Sequence, residues 1–283
     1  MTTKLTRLGL AVMALATLTP PASALPSLEH LAPRDNTTSM NLDAYVHSLA
    51  ITPPTALPQR ASADALRWQP VLDFDKDGCY NVPAIDAAGN VVEGLPHSWV
   101  GLASDCRDAS DLDNNNVYVR RRCNGGWCAY LYDYYFEKDV AVPYFQDPGH
   151  THDWEHIAVW VRDGKAQFVS ASQHGSYQIK KAADVRWAGE RPKMVYHKDG
   201  WSTHCFRFAT SGDDKVENHK GVWFRGALVG YDDGFPKGVR DILVAHDFGA
   251  ANFALKDVSF PQSLANARPD GVTFDVNRDE HGP

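Results

Sequence analysis

Apolar residues alternate with other residues along the stretch EHIAVWV at residues 155–161. Because successive side chains of a strand point to opposite faces, this period of two predicts a β-strand. One face of that strand carries Ile157, Val159 and Val161. Asp153 and Glu155 continue the same face toward the start of the strand, so we expect an apolar inner face that ends in two carboxylates.

Short runs of similar β-type composition recur after about Leu66, separated by Gly, Asp, Asn and Pro. They cover residues 116–122, 128–136, 156–161, 166–172, 193–197 and 205–209. Many short strands with frequent turn residues predict a mostly antiparallel β-sandwich or barrel. A late helix is predicted over residues 238–246, so the predicted fold class is mostly β with a few peripheral helices.

Aromatic residues line one face of the predicted strand at residues 128–136. They are Tyr130, Tyr132, Tyr134 and Phe136. Half-buried strands commonly carry such rows, so we interpret the row as core rather than as a sugar-stacking platform. Asp139 follows just past the predicted strand end, in a loop position from which its carboxylate could reach a neighbouring strand.

The N-terminal residues 1–24 have the composition of a secretory signal peptide. Lys4 and Arg7 precede an apolar stretch at residues 8–18 that is too short to span a bilayer, and the small residues Ala-Ser-Ala end at Ala24. We predict cleavage after Ala24. No later stretch approaches about eighteen apolar residues, so the mature chain is predicted to be secreted, extracellular and not membrane-spanning.

Composition divides the rest of the chain into three parts. Residues 25–63 are rich in Pro, Ser and Ala and are predicted to form a leader or flexible arm, with a helix-like patch at residues 40–51. Residues 64–268 form the predicted domain, and residues 269–283 are a polar tail. The formal charge of -7 becomes -9 once the two cations of the signal peptide are removed, so no nucleic-acid partner is expected.

Four of the five cysteines lie in one half of the chain, and Cys205 stands apart. In a secreted protein this distribution suggests two disulfides and one unpaired thiol. Connectivity does not follow from the sequence, and we favour Cys79–Cys106 and Cys123–Cys128. We interpret Cys205 as a buried, inert thiol, because an isolated cysteine among strand residues behaves as a small hydrophobic side chain.

Three histidines and two carboxylates crowd into residues 149–156. A zinc-protease motif needs two histidines four apart on a helix with a Glu directly after the first, but here Asp153 follows His152 and the pattern is that of a strand. Ionised carboxylates that leave water need partners, and a hard cation with oxygen ligands is one such partner. Three alternatives stay open: a solvated polar strand end, a Ca²⁺ or Mg²⁺ site, and a zinc or acid–base site.

A second acidic feature is the sequence DFDKDG at residues 73–78. Asp73, Asp75 and Asp77 match the first half of a helix-flanked calcium loop, but an alanine stands where the twelfth loop residue is a Glu. The acidic run at residues 108–116 could supply further oxygens. The alternatives are a second calcium site and an acidic surface turn, since Asp-Gly turns are common.

The stretch GHTHDWE at residues 149–155, with YYFEKD at residues 134–139 before it, resembles the heptapeptide GHRHDWE and the upstream FPKD of one protein family. This family is the necrosis- and ethylene-inducing-peptide-like proteins, the NLP cytolysins. Further similar stretches lie at residues 77–90, 169–177 and 247–260. Six of the seven heptapeptide residues are identical, which makes the resemblance specific, and it extends over about residues 73–267.

The resemblance implies a secreted antiparallel β-sandwich, related to actinoporins and fungal lectins, that damages plant plasma membranes and is not an enzyme. In the family a Ca²⁺ or Mg²⁺ ion lies in a shallow cavity. The matching ligand positions are Asp139, His150, Asp153 and Glu155. The implied partner is the sugar head group of glycosyl inositol phosphorylceramide, a plant sphingolipid. A monomer in peripheral contact with the membrane is expected.

Further roles follow from the same resemblance. Head-group or membrane contacts are expected at His152, His174, Tyr231 and Asp232. The pair Cys123–Cys128, together with the acidic loop at residues 73–77, resembles the two-disulfide, calcium-loop subgroup of the family. In that comparison Cys123–Cys128 is the extra disulfide.

Three departures from the family pattern leave more than one function open. Thr151 replaces the usual Arg of the heptapeptide, residues 140–148 form a longer loop that could displace Asp139, and Tyr231 stands where an exposed loop Trp is expected. The leading hypothesis is a metal-dependent, sphingolipid-binding cytolysin. The alternatives are a non-lytic relative that binds glycans or lipids, and a secreted metallohydrolase.

Overall fold

Two stacked β-sheets form the centre of the computed structural model, which describes residues 51–280. The strands are β1 (Val71–Phe74), β2 (Asn116–Asn124), β3 (Trp127–Val140), β4 (Gly149–Arg162), β5 (Lys165–Gln173), β6 (Ser176–Lys181), β7 (Trp187–Ala188), β8 (Arg191–Lys198), β9 (His204–Phe208) and β10 (Ala227–Gly230). The α-helices are α1 (Ala63–Trp68), α2 (Val239–Ala245) and α3 (Phe260–Ala267), and short 3₁₀ helices cover Ala109–Leu112, Ala182–Asp184 and Gly212–Asp214. This mostly-β sandwich confirms the predicted fold class, and α2 confirms the predicted late helix. Within residues 51–280, no helix has the length and apolar character needed to cross a bilayer.

The larger sheet has the strand order β10-β2-β3-β4-β5-β6, and its neighbours from β2 to β6 are antiparallel. The smaller sheet has the order β1-β8-β7, with β9 also paired to β8. Two pairs are parallel, β10 with β2 and β1 with β8. Parallel partners come from distant parts of the chain, and the alternation of side chains along one strand does not encode that direction.

The β2–β3 hairpin shows how local chemistry sets the register of the sheet. Gly125 and Gly126 have φ values of 57° and 77°, and a two-residue type I′ turn needs positive φ at both positions. The turn places Cys123 directly opposite Cys128, and the two cysteines form a disulfide.

Both predicted disulfides are therefore confirmed, since Cys79 also pairs with Cys106. Cys205 is unpaired and buried, as predicted. Burial raises the pKa of its thiol, which keeps the sulfur protonated at neutral pH in the absence of a bound metal.

The core between the two sheets is rich in aromatic side chains. β3 contributes the predicted row, which is buried throughout: Tyr130, Tyr132, Tyr134 and Phe136. The smaller sheet contributes Met194, Tyr196, Phe206 and Phe208. Phe136 stacks on Tyr196 with ring centroids 3.8 Å apart. The row is therefore core, as predicted.

A second apolar core covers the opposite face of the larger sheet. Leu131 and Tyr135 of β3 belong to it. The two C-terminal helices and the segment after them contribute Leu243, Phe260, Leu264 and Phe274. All residues of β3 from Ala129 to Val140 are buried. A strand covered on both faces carries no simple apolar–polar alternation, which explains why its polar end looks like a loop in the sequence.

Part of the predicted N-terminal arm joins the fold. Arg60 forms two backbone hydrogen bonds with β10, both under 3 Å, and Leu57 is buried. Residues 51–63 are thus attached to the sheet, and the folded part begins earlier than composition indicates. The predicted signal peptide at residues 1–24 and most of the helix-like patch at residues 40–51 lie outside the described residues.

The polar segment after α3 is also attached to the domain. Phe274 is buried in the second core, and the backbone N–H of Glu280 donates to the carbonyl of Cys123 at 2.7 Å. Residues 269–280 therefore fold back on the β2–β3 hairpin, because their few apolar side chains fill the space beside α3.

Candidate metal centre

Three of the four predicted metal ligands come together at one end of the β3–β4 pair. Asp139, His150 and Asp153 each offer one ligand atom, and these atoms lie within 4.8 Å of one another. Asp139 lies inside β3, directly opposite His150, so the predicted loop position of Asp139 is wrong. The long segment between β3 and β4 does not displace Asp139, because the ladder continues one residue pair beyond it.

Hydrogen bonds orient two members of this group. The Nδ1 atom of His150 lies 2.7 Å from the backbone carbonyl oxygen of His152. Since a carbonyl only accepts, Nδ1 donates, and Nε2 of the neutral ring keeps its lone pair. The carboxylate of Asp139 accepts from the backbone N–H of His204 at 2.8 and 3.1 Å and from its Nδ1 at 2.7 Å. Contacts of this kind fix the orientation of metal ligands.

Asp153 of β4 is buried, as Asp139 is. Its carboxylate accepts a hydrogen bond from the hydroxyl of Tyr196 at 3.1 Å. Burial, and after it the nearby charge of Asp139, raise the pKa of Asp153 to about 7. Two carboxylates held this close and away from water require a proton or a cation.

Glu155, the fourth predicted ligand, lies on the same face of β4 but outside the three-residue group. The hydroxyl of Ser172 on β5 donates to its carboxylate. Burial, and then the charge of Asp153, raise the pKa of Glu155 well above its usual range. Glu155 and Asp153 line the same cavity, so Glu155 borders the site.

A cavity of about 240 Å³ opens beside these ligands. Its walls include His150, residues 153–156, Ser172, residues 175–177 and residues 250–252. No Lys or Arg is among these lining residues. The donor set is rich in oxygen and has one imidazole, which fits hard divalent cations such as Ca²⁺ and Mg²⁺. The residues therefore fit the predicted ion, whose binding stays a prediction.

His152 and His174, two predicted head-group contacts, are not among the described residues that line this cavity. His152 has a φ of +63°, and its Nδ1 lies 2.6 Å from the hydroxyl of Tyr135. His174 lies in the β5–β6 turn, with Nε2 3.2 Å from the carboxylate of Asp199. A role of either histidine in head-group binding stays a prediction.

Tyr231 is buried, with 5% of its surface exposed. Its ring packs against the guanidinium groups of Arg120 and Arg240, at 4.3 and 5.2 Å from the ring centroid. Tyr231 and the exposed Asp232 line a separate pocket of about 390 Å³. The predicted exposed aromatic contact at Tyr231 is therefore wrong, because cation–π packing encloses the ring.

The acidic loop at residues 73–77 does not gather its carboxylates. Asp73 is buried and accepts hydrogen bonds from the backbone N–H groups of residues 217 and 218. Asp75 forms an ion pair with Arg207 at 3.1 Å. Among residues 51–280, no group of three metal-ligating side chains includes Asp73, Asp75 or Asp77. The predicted second calcium site therefore lacks a ligand cluster: N–H donors occupy the Asp73 oxygens and Arg207 pairs with Asp75.

Trp201 is an exposed tryptophan that the sequence patterns above do not single out. Trp201 lies in the turn between β8 and β9 with 88% of its surface exposed. The same turn leads into His204, which binds Asp139. The turn dipeptide Asp199-Gly200, followed at once by Trp201, is the signal that indicates an exposed aromatic at a hairpin tip.

Comparison with known proteins identifies the family. The family described as Necrosis inducing protein (NPP1) matches residues 62–267. NLP effector protein 10 of Phytophthora capsici is 32% identical over 220 residues, which span 76% of this chain and 85% of that protein.

Solved structures agree with this assignment. One, described as a toxin fold as basis for microbial attack and plant defense, has a TM-score of 0.63 at 30% identity and covers 75% of this chain and 95% of that one. NLPPya in complex with glucosamine has a TM-score of 0.62 at 30% identity, with the same coverage of both chains. The chain therefore belongs to the NPP1 family of necrosis-inducing NLP effectors.

Proposed function

We propose that this protein is a secreted effector that binds the sugar head group of glycosyl inositol phosphorylceramide through a divalent ion and damages the plant plasma membrane. The observation that carries the proposal is the meeting of Asp139, His150 and Asp153 beside a surface cavity. The similar structure of NLPPya in complex with glucosamine supports a sugar as the ligand class.

The side chains around the cavity have separate tasks in this proposal. Asp139, His150 and Asp153 would hold Ca²⁺ or Mg²⁺, with Glu155 beside them, and the bound ion supplies open positions for sugar hydroxyls. The hydrogen bonds to these ligands hold them in place before the head group arrives, which reduces the ordering cost of binding. The role assigned to the site is binding rather than turnover.

The β8–β9 turn supplies the contact with the bilayer. Trp201 is exposed at its tip, and an amphipathic indole ring favours the membrane–water interface. His204 joins the end of this turn to Asp139. Head-group binding at the metal centre and interface contact by Trp201 would therefore be linked through His204, with peripheral membrane contact only.

Dye release from vesicles tests the proposal. Vesicles with and without glycosyl inositol phosphorylceramide are compared in Ca²⁺, in Mg²⁺ and in chelator. We expect release by the native protein to require both the lipid and the ion. Asp153→Ala should abolish release, because it removes a buried ligand, whereas Asp241→Ala, on the exposed face of α2, should not. Release by Asp153→Ala, or release in chelator, would contradict the proposal.

Non-lytic glycan binding is the second candidate function, and Thr151 favours it. The Thr151 hydroxyl donates to the backbone carbonyl of Leu95 at 2.9 Å and lies 3.1 Å from Nδ1 of His97. A neutral side chain thus occupies a position where the family heptapeptide carries a cation. Vesicle cosedimentation, run beside dye release, separates the two candidates. Binding without release would support the non-lytic function.

A further inference from the structure

A second group of metal-ligating side chains shares no residue with the first. His174 comes from the β5–β6 turn, Asp199 from the turn after β8, and Cys205 from β9. Each offers one ligand atom, and the three atoms lie within 4.8 Å of one another. Three separate segments of the chain therefore converge on one point.

Cys205 gives this group a different chemistry from the first. Its thiol is buried and belongs to neither disulfide. His197 lies outside this three-residue group, but it is directly opposite Cys205 in the β8–β9 pair, with Nε2 3.6 Å from the sulfur. A sulfur, two imidazoles and one carboxylate form a donor set typical of tetrahedral Zn²⁺, whereas the oxygen-rich first group fits hard cations.

Neighbouring side chains hold His174 and Asp199 close together. His174 has a φ of +48°, a left-handed conformation that costs energy for a residue other than glycine. Its Nε2 lies 3.2 Å from the Asp199 carboxylate, and its Nδ1 lies 3.4 Å from the hydroxyl of Thr203. Gln173 donates to the same Asp199 oxygen at 3.1 Å. The contacts from Thr203 and Gln173 are of the kind that orients ligands at metal sites.

We propose that His174, Asp199 and Cys205, with His197 as the fourth ligand, form a site for a zinc-type divalent ion. Binding forms a metal–thiolate bond and releases the thiol proton to solvent, with no change in oxidation state. Asp199 and Cys205 flank Trp201 in the sequence. An ion at this site would therefore brace the turn that exposes Trp201.

Cobalt titration of the metal-stripped full chain tests this site. Co²⁺ takes the place of Zn²⁺ and gives a thiolate-to-cobalt charge-transfer band when a cysteine is a ligand. We expect one equivalent of Co²⁺ to produce the band and Zn²⁺ to remove it. Cys205→Ser should abolish the band, and His174→Ala should weaken cobalt binding by about tenfold or more, since even outer-shell changes have effects of that size.

Matched variants separate this site from the first. His246→Ala changes a histidine outside both groups and should leave the titration unchanged. Asp153→Ala alters only the first group, so it should keep the band even if dye release fails. Zn²⁺ should raise the thermal midpoint of the native protein and not that of Cys205→Ser. Absence of the band in folded native protein, or an unchanged titration of His174→Ala, would overturn the proposal.

Discussion

Asp133 of β3 is fully buried and holds two other parts of the chain. One carboxylate oxygen lies 2.7 Å from Nδ1 of His156 on β4, and the other accepts from the backbone N–H of Ala254 at 2.8 Å. Removing one partner of a buried pair leaves the other without compensation. We expect Asp133→Ala to lower the free energy of unfolding by roughly 3–5 kcal/mol, measured by urea denaturation.

Two further variants control this prediction. Asp133→Asn keeps an acceptor for Ala254 and should lose less stability than Asp133→Ala. Asp241→Ala changes an exposed carboxylate on α2, and its effect should stay within about 0.5 kcal/mol. A similar loss in Asp133→Ala and Asp241→Ala would argue against a structural role of the buried pair.

The ion pair of Arg207 and Asp213 makes the stability of the protein vary with pH in the acidic range. Arg207 donates two hydrogen bonds to the Asp213 carboxylate, at 2.7 and 2.8 Å, and these bonds hold the pKa of Asp213 well below its usual range. A lowered pKa in the folded state stabilises the protein above the unfolded pKa of about 4, and this contribution is lost as the pH falls further.

Asp213→Asn tests this pH dependence. At neutral pH we expect the variant to be less stable than the native protein by about 1–2 kcal/mol, because the charged hydrogen bonds are lost from a partly solvated site. The difference should shrink as the pH is lowered from about 5 toward 2. Urea midpoints measured across this range give the result, and a difference independent of pH would exclude Asp213 as the titrating group.

At the scale of single residues, the period of a strand predicts which face of the sheet a side chain occupies, but not which residues it contacts. The period correctly places Asp153 and Glu155 on one face of β4. The hydroxyl of Ser172, on the neighbouring strand, donates a hydrogen bond to Glu155, which lies at the border of the three-residue ligand group. Asp139 reaches His150 through the register of β3 on β4, and that register depends on a turn that local sequence does not specify.

The β8–β9 hairpin exposes the aromatic side chain of Trp201 in the turn that leads into His204, which binds Asp139. We expect Trp201→Ala to reduce dye release strongly and to leave the thermal midpoint nearly unchanged, because the ring has few contacts within the protein at 88% exposure. Trp99→Ala is the chemically matched control, since Trp99 is also exposed, at 65%, on a different loop. Equal loss in both variants would indicate general surface hydrophobicity rather than a specific contact of the hairpin.

At the scale of elements, the sequence predicts whether a segment forms a strand, a helix or a turn better than it predicts what that segment packs against. Every predicted strand lies within or largely overlaps a strand of the structure, because alternation and turn residues are local signals. Tyr231 follows β10 in a sequence typical of a loop, yet Arg120 and Arg240 enclose its ring. Burial of this kind depends on elements distant in the chain, which local patterns cannot report.

The segment after α3 completes the second core of the whole molecule. Phe274 is 4% exposed and packs edge-on against Trp160 with ring centroids 5.1 Å apart. We expect Phe274→Ala to lower the free energy of unfolding by roughly 3–5 kcal/mol, the usual cost of a phenylalanine-sized cavity. Phe145→Ala, at a side chain that is 63% exposed, should change it by less than about 0.5 kcal/mol. Similar urea midpoints for the two variants would show that residues 269–280 do not stabilise the domain.

For the whole molecule, composition predicts the class of fold, but it predicts a folded domain that is too short at both ends. Residues 51–63 and 269–280 look like an arm and a tail because they contain few apolar residues. A small number of side chains, such as Leu57 and Phe274, is enough to attach them to a sheet that already exists. That attachment depends on the assembled surface, which no local window of sequence describes.

The position of β3 has a consequence for the exchange of amide hydrogens with deuterium. β3 lies between β2 and β4, and both of its faces are covered by apolar cores. Its amides can exchange only when the whole domain opens, whereas β6, at the edge of the sheet, can exchange through local opening. Isotope labelling of the native protein would therefore report the global free energy of unfolding from β3 and the flexibility of the sheet edge from β6, in one experiment and without denaturant.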